Sequence, residues 1–155
     1  MPGVLVASTF SADIEIDCLI IGGGAAGLTA ALAASETGVT VLVAERETRL
    51  SGSTALSSGL IPAAGTKAQD HQSIQDSKDI FYTDIMAKNK NTVDPAYVKL
   101  IVRQIPKTLD WLADDYGIPF HVLDNFLYPG HTNLRMHTVP EQTGVGLINR
   151  LEAAV

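Results

Sequence analysis

The stretch that decides the fold is residues 17–27, with the sequence DCLIIGGGAAG. Its first part, Cys18–Ile21, is a continuous apolar run bounded by glycine, which is typical of a strand buried on both faces. Residues 25–37 are rich in Ala and Leu, and Gly38 stands where such a helix would end. Residues 39–43 are β-branched and apolar and predict a second buried strand. This order of strand, turn, helix and strand predicts a βαβ unit with parallel strands.

The glycines between the first strand and the helix follow the pattern G-x-G-x-x-G. In that context Gly22 permits the tight turn, Gly24 allows a pyrophosphate to approach the backbone, and Gly27 lets the helix pack against the strand. The amides of Ala25 and Ala26, with the positive end of the helix dipole, then face the phosphates. The pattern predicts a dinucleotide site, whereas a tight turn without a ligand is the structural alternative.

Glu45 follows the second strand, about twenty residues after the first glycine, where an acidic residue hydrogen-bonds the ribose of a dinucleotide. Its carboxylate would repel a 2′-phosphate, which disfavours NADP. The turn does not separate FAD from NAD, because both cofactors present the same ADP moiety.

Composition excludes several classes of protein. The chain has 155 residues, of which 46% are hydrophobic, and its single Cys permits neither an internal disulfide nor a Cys-based zinc site. The His spacing supports no other metal site. The 11 Lys and Arg against 17 Asp and Glu argue against a nucleic-acid surface. No apolar run reaches the ~18 residues of a membrane span. Residues 1–16 lack a secretory pattern and are interpreted as a leader, so we expect a cytoplasmic protein.

Beyond residue 49 the chain predicts a loop and then helices. Residues 50–66 are small and apolar, which favours a loop pressed against a buried surface. A helix is predicted over 71–90. A second begins at Asp94 with Pro95 at its first position and runs to Gly117, with a kink or restart at Pro106. We expect its buried stripe to contain Tyr97, Leu100, Ile101, Ile105, Leu109 and Leu112.

Residues 17–66 resemble the FAD-binding opening of the fumarate reductase/succinate dehydrogenase flavoprotein family. The resemblance rests on residues 17–27, on Glu45-Arg46, on Gly52-Ser53-Thr54 and on residues 57–66, SSGLIPAAGT. It implies a Rossmann-like α/β domain with a parallel sheet, followed by helices, and FAD as cofactor. The candidate cofactor-binding residues are Gly22, Gly24, Ala25, Ala26, Gly27, Glu45, Arg46, Gly52, Ser53, Thr54, Ser58 and Gly59.

This segment departs from the family pattern at two positions. Leu60 replaces a usual glycine and Pro62 a usual asparagine, near the reactive edge of the flavin. Some members attach FAD covalently through a His in this loop, and no His occurs between Met1 and Asp70. We therefore predict non-covalent FAD.

A looser resemblance continues to the end of the chain. Residues 130–137, GHTNLRMH, are similar to a family stretch that brings a His and an Arg to the substrate. Arg135 could hold a carboxylate bidentately, and His131 or His137 could hydrogen-bond a substrate. These three are the candidate catalytic residues. The alternative is that they cap the following helix, predicted from residue 143 onward, or lie on the surface.

The resemblance implies an FAD-dependent oxidoreductase that forms or reduces a C–C or C=C bond beside a carbonyl or carboxylate. The substrate would be a small dicarboxylate, ketone or enone. Residues 17–155 would be the N-terminal part of the FAD-binding domain, without the capping domain, and we expect no turnover from them alone. The alternatives are an NAD-linked dehydrogenase and a non-catalytic dinucleotide-binding fragment.

Overall fold

A computed structural model describes residues 14–155. This part of the chain contains five strands and six helices and includes a parallel strand pair, which confirms the α/β class. The elements are β1 Cys18–Ile21, α1 Ala25–Ser35, β2 Val41–Ala44, α2 Ser53–Leu56, β3 Ile61–Pro62, α3 Lys67–His71, α4 Lys78–Lys88, α5 Pro95–Tyr116, β4 His121–Val122, β5 Met136–Thr138 and α6 Gly144–Ala154. Residues 1–13 of the predicted leader lie outside the described residues.

The βαβ unit is present as predicted. Strands β1 and β2 pair in parallel, with Cys18 opposite Val41 and Ile21 opposite Ala44. The expectation that both faces are buried is wrong for residues 14–155, since Leu19 is 54% and Ile21 84% exposed. Here the sheet has only these two strands, and α1 contacts them from one side. The alternate residues that point away from α1 therefore remain exposed.

A second, antiparallel sheet was not predicted. Its order is β3-β5-β4, with Ile61 opposite His137 and Val122 opposite His137 on the other side of β5. Strand β3 belongs to the segment over 50–66, where Ala63 and Ala64 are both 0% exposed. The interpretation of that segment as pressed against a buried surface is confirmed for its second half but wrong for its first, where Leu56 is 85% exposed. The segment contains α2 and β3 as well as loop.

The helix predicted over 71–90 is confirmed only over α4, Lys78–Lys88, because residue 71 ends the separate helix α3, Lys67–His71. Thr66 caps α3 in a capping box with Gln69, and Ser77 caps α4 by accepting from the amide of Ile80. Between them Ser73 has a left-handed backbone, φ 57°, which interrupts the helical path. The predicted start of the helix at residue 71 is wrong because these local caps outweigh the apolar spacing.

Helix α5 has the predicted ends, with Asp94 accepting from the amide of Ala96 and Gly117 in the left-handed region at φ 65°. It runs without interruption through Pro106, so the predicted restart is wrong; the ring removes a single helical hydrogen bond. The predicted buried stripe is confirmed at Leu109 and Leu112 but wrong at its start, where Tyr97 and Leu100 are 62% and 53% exposed. The buried residues are Val98, Val102, Pro106, Leu109 and Leu112.

Two hydrophobic clusters hold the elements together. The larger joins α1, the end of α5 and α6, through Leu28, Leu32, Leu112, Ile118, Val139, Leu147, Ile148 and Leu151. The smaller joins α4 and the start of α5, through Ala64, Phe81, Met86, Val98 and Val102. Helix α6 thereby packs beside α1, next to the glycine turn. Between residues 14 and 155, no helix combines the length and apolarity needed to cross a membrane.

Candidate functional site

The glycine turn has the geometry that its sequence predicts. Gly22 adopts φ 102°, which only glycine reaches without strain. A Cβ at Gly27 would collide with the carbonyl oxygen of Gly22, so the first turn of α1 can approach β1 only with glycine there. Gly24 is different, because a Cβ there would meet the protein no closer than 4.0 Å, at Thr54 Oγ1. The protein itself therefore does not require glycine at position 24.

Glu45 closes the turn from the carboxyl end of β2. Its Oε2 accepts from the amide of Gly23 at 2.7 Å, and its Oε1 accepts from the amide of Glu47 at 3.0 Å. The hydrogen bonds from Glu47 and Gly23 lower the pKa of the Glu45 carboxyl, which favours its ionised form. The predicted ribose ligand thus also fixes the turn, and its remaining lone pairs can accept hydroxyl hydrogens.

Thr54 connects the second predicted motif to the first. Its Oγ1 accepts from the amide of Ala25 at 3.2 Å, which places α2 against the N-terminus of α1. Within residues 14–155, the amides of Gly24, Ala26 and Gly27 have no hydrogen-bond partner. These donors, together with the helix dipole, are suited to a phosphate group.

A cavity of about 200 Å³ lies where the two motifs meet. Five of the predicted cofactor residues line it: Gly24, Glu45, Arg46, Gly52 and Thr54. The structure therefore brings together residues that are far apart in sequence. Leu50 and Ile148 also line the cavity and were not predicted. Ser53 and Ser58 lie nearby on the same segment with exposed side chains.

The start of α6 packs against the segment over 52–59 that borders this cavity, a contact that the sequence did not indicate. The amide of Gly144 donates to the carbonyl of Ser57 at 3.0 Å. A Cβ at Gly144 would collide with the carbonyl oxygen of Thr54, and a Cβ at Gly59 would lie 2.5 Å from Thr143. Gly59 has φ 66°. Glycine is thus needed on both sides of this contact, which fixes the segment over 52–59 relative to the turn.

These residues fit the ADP half of a dinucleotide. Free helix amides are suited to the phosphates, the Glu45 carboxylate to the ribose, and the open space above Gly24 to an approaching group. The Arg46 side chain is 90% exposed and pairs with Glu47 at 3.1 Å, an exposed contact that a ligand phosphate could replace. Each predicted cofactor residue lies on the turn, on the cavity wall or on the segment that closes it.

Arg135, the predicted carboxylate-binding residue, has protein partners. Its guanidinium binds Asp76 bidentately, with both nitrogen–oxygen distances 2.8 Å, and Asp84 at 2.5 Å. The side chains of Arg135 and Asp76 are 0% exposed, and that of Asp84 is 7% exposed. The ring of Phe81 covers the guanidinium, 4.7 Å away. This geometry gives Arg135 a structural role and leaves its contact with a substrate a prediction.

Both carboxyls of this cluster are ionised. Burial opposes ionisation, but hydrogen bonds from Arg135 and Asn133 hold the pKa of Asp76 below its ordinary value. For Asp84 burial is likewise outweighed, by the amide and hydroxyl of Thr132 and by Arg135, and its pKa is lowered. The Arg135 pKa is raised despite burial, because both carboxylates stabilise its charged form.

His137 is fully buried on β5, at 0% exposure. Its Nδ1 lies 2.9 Å from the carbonyl oxygen of Arg135 and its Nε2 lies 2.7 Å from Thr66 Oγ1. Burial is the main cause that lowers the pKa of His137, so the ring is neutral. As for Arg135, these contacts are structural, and a contact with substrate stays a prediction.

His131 is the most accessible of the three candidates. It lines a cavity of about 230 Å³ beside Tyr128 and Lys88, and its ring lies 5.7 Å from that of Phe81. Its Nδ1 is buried without a hydrogen-bond partner among residues 14–155. Desolvation, together with the charge of Arg135, lowers its pKa. This cavity shares no lining residue with the one at the glycine turn.

Four residues that hold Arg135 and His137 in place were not predicted as site residues: Asp76, Asp84, Thr66 and Gln69. The Thr66-x-x-Gln69 spacing is a capping-box pattern, so that pair could have been found. The two aspartates carry no local signal, because their partner Arg135 is more than fifty residues away in sequence.

Comparison with known proteins identifies the family. Residues 17–155 match the model of the FAD binding domain. The chain is 33% identical over 131 residues to a fumarate reductase (cytochrome) of Shewanella frigidimarina, covering 84% of this chain and 22% of that protein. It is 28% identical over 138 residues to a urocanate reductase of Eggerthella lenta, covering 89% of this chain and 23% of that protein. The chain thus spans less than a quarter of either relative.

Solved structures agree with the sequence comparison. The open conformation of a flavocytochrome c3 fumarate reductase superposes with a TM-score of 0.77 at 25% identity, over 90% of this chain and 24% of that one. A 3-ketosteroid dehydrogenase from Rhodococcus jostii RHA1 shares the fold, with a TM-score of 0.75 at 24% identity, over 95% and 37%. The match supports FAD rather than the NAD-linked alternative, and it lends no support to a non-catalytic module. The chain belongs to the FAD binding domain family, and its cofactor is FAD.

Proposed function

We propose that this chain provides the FAD-binding portion of an oxidoreductase that acts on a C=C bond beside a carboxylate or carbonyl. The observation that carries the proposal is the convergence of the glycine turn, Glu45 and Thr54 on one cavity. The fumarate and urocanate reductases among the relatives favour an unsaturated carboxylate as the substrate. When bound, the flavin would supply hydride transfer to or from the substrate carbon.

The protein residues have three tasks in this proposal. The free amides of α1 bind the pyrophosphate, Glu45 orients the adenosine ribose, and the segment over 57–66 lies beside the flavin ring. We further propose that FAD is bound non-covalently, because none of these residues is a histidine. His131 lines the larger of two cavities beside the candidate residues, of about 230 Å³, and His137 borders a smaller one of about 100 Å³, whereas Arg135 is enclosed by protein.

Attachment of the cofactor is tested by acid precipitation of the FAD-loaded chain. We expect the flavin to remain in the supernatant with its full absorbance. A yellow precipitate would show a covalent bond and contradict this part of the proposal.

The reaction is tested by dye-linked assay with reduced methyl viologen as donor and fumarate, urocanate or acrylate as acceptor. In the longest natural polypeptide that contains residues 1–155, we expect oxidation of the dye that depends on one of these acceptors. We expect the 155-residue chain alone to bind FAD without turnover. Dye oxidation that no unsaturated carboxylate, ketone or enone supports would contradict the proposed substrate class.

A further inference from the structure

Thr66 and His137 form a buried hydrogen bond between two segments that are distant in sequence. Thr66 lies four residues after the end of β3, where it caps α3, and it is the last residue of the segment over 57–66; His137 lies in the middle of β5. The Oγ1–Nε2 distance is 2.7 Å, and the residues are 1% and 0% exposed. A polar contact so well shielded is costly to lose, because an orphaned partner could not bind water instead.

The surroundings determine which way this bond runs. The Arg135 carbonyl can only accept, so Nδ1 of His137 donates to it over 2.9 Å. Since burial keeps the ring neutral, Nε2 carries no hydrogen and accepts from the Thr66 hydroxyl. Thr66 Oγ1 in turn accepts from the amide of Gln69 at 3.1 Å. With a neutral ring, the bond therefore corresponds to the Nδ1–H tautomer of His137, in which the Thr66 hydroxyl donates to Nε2.

The Gln69 side chain also links the end of this segment to the residues before β5. Its Oε1 accepts from the amide of Gly65 at 2.7 Å, and its Nε2 donates to the carbonyl of Leu134 at 3.0 Å. The amide of Ala63 adds a third tie, donating to the carbonyl of Arg135 at 3.0 Å. The end of this segment is thus held to residues 134–137, in β5 and directly before it, by side chains as well as by backbone.

We propose that His137 is a positioning residue that sets the segment over 61–66 through Thr66. The inference rests on the proposed function, in which this segment lies beside the flavin ring. It assigns His137 a role that involves no contact with substrate. The His137 side chain hydrogen-bonds to Thr66, the last residue of the segment over 61–66, and the backbone of that segment would contact the flavin ring.

The test compares Thr66→Val, Thr66→Ser and Ser77→Ala in the FAD-loaded 155-residue chain. Thr66→Val keeps the shape but removes the hydroxyl, and Thr66→Ser restores it. Ser77→Ala is the matched control, because Ser77 caps α4 as Thr66 caps α3 but makes no contact with His137. The readouts are the visible absorption and circular dichroism of bound flavin, the Kd for FAD, and the Tm.

We expect Thr66→Val to change the flavin spectrum and to raise the Kd about tenfold, since a buried acceptor is left without its donor. Thr66→Ser should return both toward the wild type. Ser77→Ala should lower the Tm alone. If Thr66→Val alters the Tm without changing spectrum or Kd, the inference is overturned. If the wild-type chain binds no FAD, the proposed function itself fails. That result is distinct from an unchanged flavin spectrum and Kd in Thr66→Val, which overturns only the inference about His137.

A measurement on the unaltered chain covers the case in which Thr66→Val does not fold. Nitrogen NMR of the ¹⁵N-labelled histidines should show one ring that stays in the neutral Nδ1–H tautomer at pH 7 and is lost from the spectrum of His137→Gln. A charged ring or the Nε2–H tautomer at His137 would overturn the inference.

Discussion

Replacing Arg135 by methionine should be the most damaging single change to the fold away from the glycine turn. Methionine retains much of the apolar stem but removes the charge, and the carboxylates of Asp76 and Asp84 are left together. Both are buried, at 0% and 7% side-chain exposure, so water cannot replace the guanidinium without opening the structure. The variant therefore creates uncompensated buried charge, not merely a missing contact.

The magnitude follows from that geometry. Removing one partner of a buried ion pair costs about 3–5 kcal/mol. For a chain of this size such a loss lowers the Tm by about 6–20 °C, against a total free energy of unfolding of about 5–15 kcal/mol. Arg150→Met is the matched control. Its ion pair with Glu141 is partly exposed, at 32% and 46%, so solvent screens the pair and its loss should cost much less than the loss of Arg135.

The assay is thermal and guanidinium unfolding followed by far-UV circular dichroism at pH 7. A triple variant that adds Asp76→Asn and Asp84→Asn to Arg135→Met should recover at least half of the lost stability, because both uncompensated charges are removed. The reasoning is refuted if Arg135→Met costs no more than Arg150→Met, or if the triple variant is less stable than Arg135→Met.

Three further predictions concern the turn and the pH dependence. Gly24→Ala should leave the Tm within about 2 °C of the wild type but raise the Kd for FAD at least about tenfold, since its Cβ clears the protein but enters the phosphate approach. Gly27→Ala should lower the Tm as well, because its Cβ collides with the Gly22 carbonyl; equal effects of the two variants on the Tm would contradict this difference. His137 has a folded pKa below its unfolded value of about 6.5, so its contribution to stability is complete above that pH and declines as the pH falls further. His137→Gln should therefore reduce the loss of stability between pH 7.5 and 5.5, measured by guanidinium unfolding; an unchanged loss would show that His137 does not titrate in this window. Asp76 has a lowered pKa, so its contribution is lost at more acidic pH, and Asp76→Asn should flatten the stability curve below about pH 4.

The parts of the fold that could be predicted are those specified by neighbouring residues. The glycine turn and its strands depend on steric rules that act within about thirty residues. The ends of α5 depend on Asp94, Pro95 and Gly117, each of which acts on its own helical turn. The break between α3 and α4 also depends on neighbouring residues, and the Thr66–Gln69 capping box would have indicated that a helix begins at residue 67.

The parts that could not be predicted depend on distant partners. Arg135 has the side chain expected of a carboxylate-binding residue, and it does bind carboxylates, but these belong to Asp76 and Asp84 of the same chain. Nothing near residue 135 in the sequence indicates them. The buried face of α5 also depends on where α4 packs, which rotates the stripe to Val98 and Val102. Apolar spacing alone does not specify that rotation.

The central claim is that the turn, Glu45 and Thr54 form the ADP half of an FAD site. Titration of FAD into the purified, flavin-free 155-residue chain, followed by calorimetry, tests it most directly. The account predicts saturable binding of one FAD per chain, little response to NADP, and clear weakening in Glu45→Gln but not in the neighbouring Glu47→Gln. Absence of saturable FAD binding by a folded chain, or equal affinity of Glu45→Gln and the wild type, would contradict it.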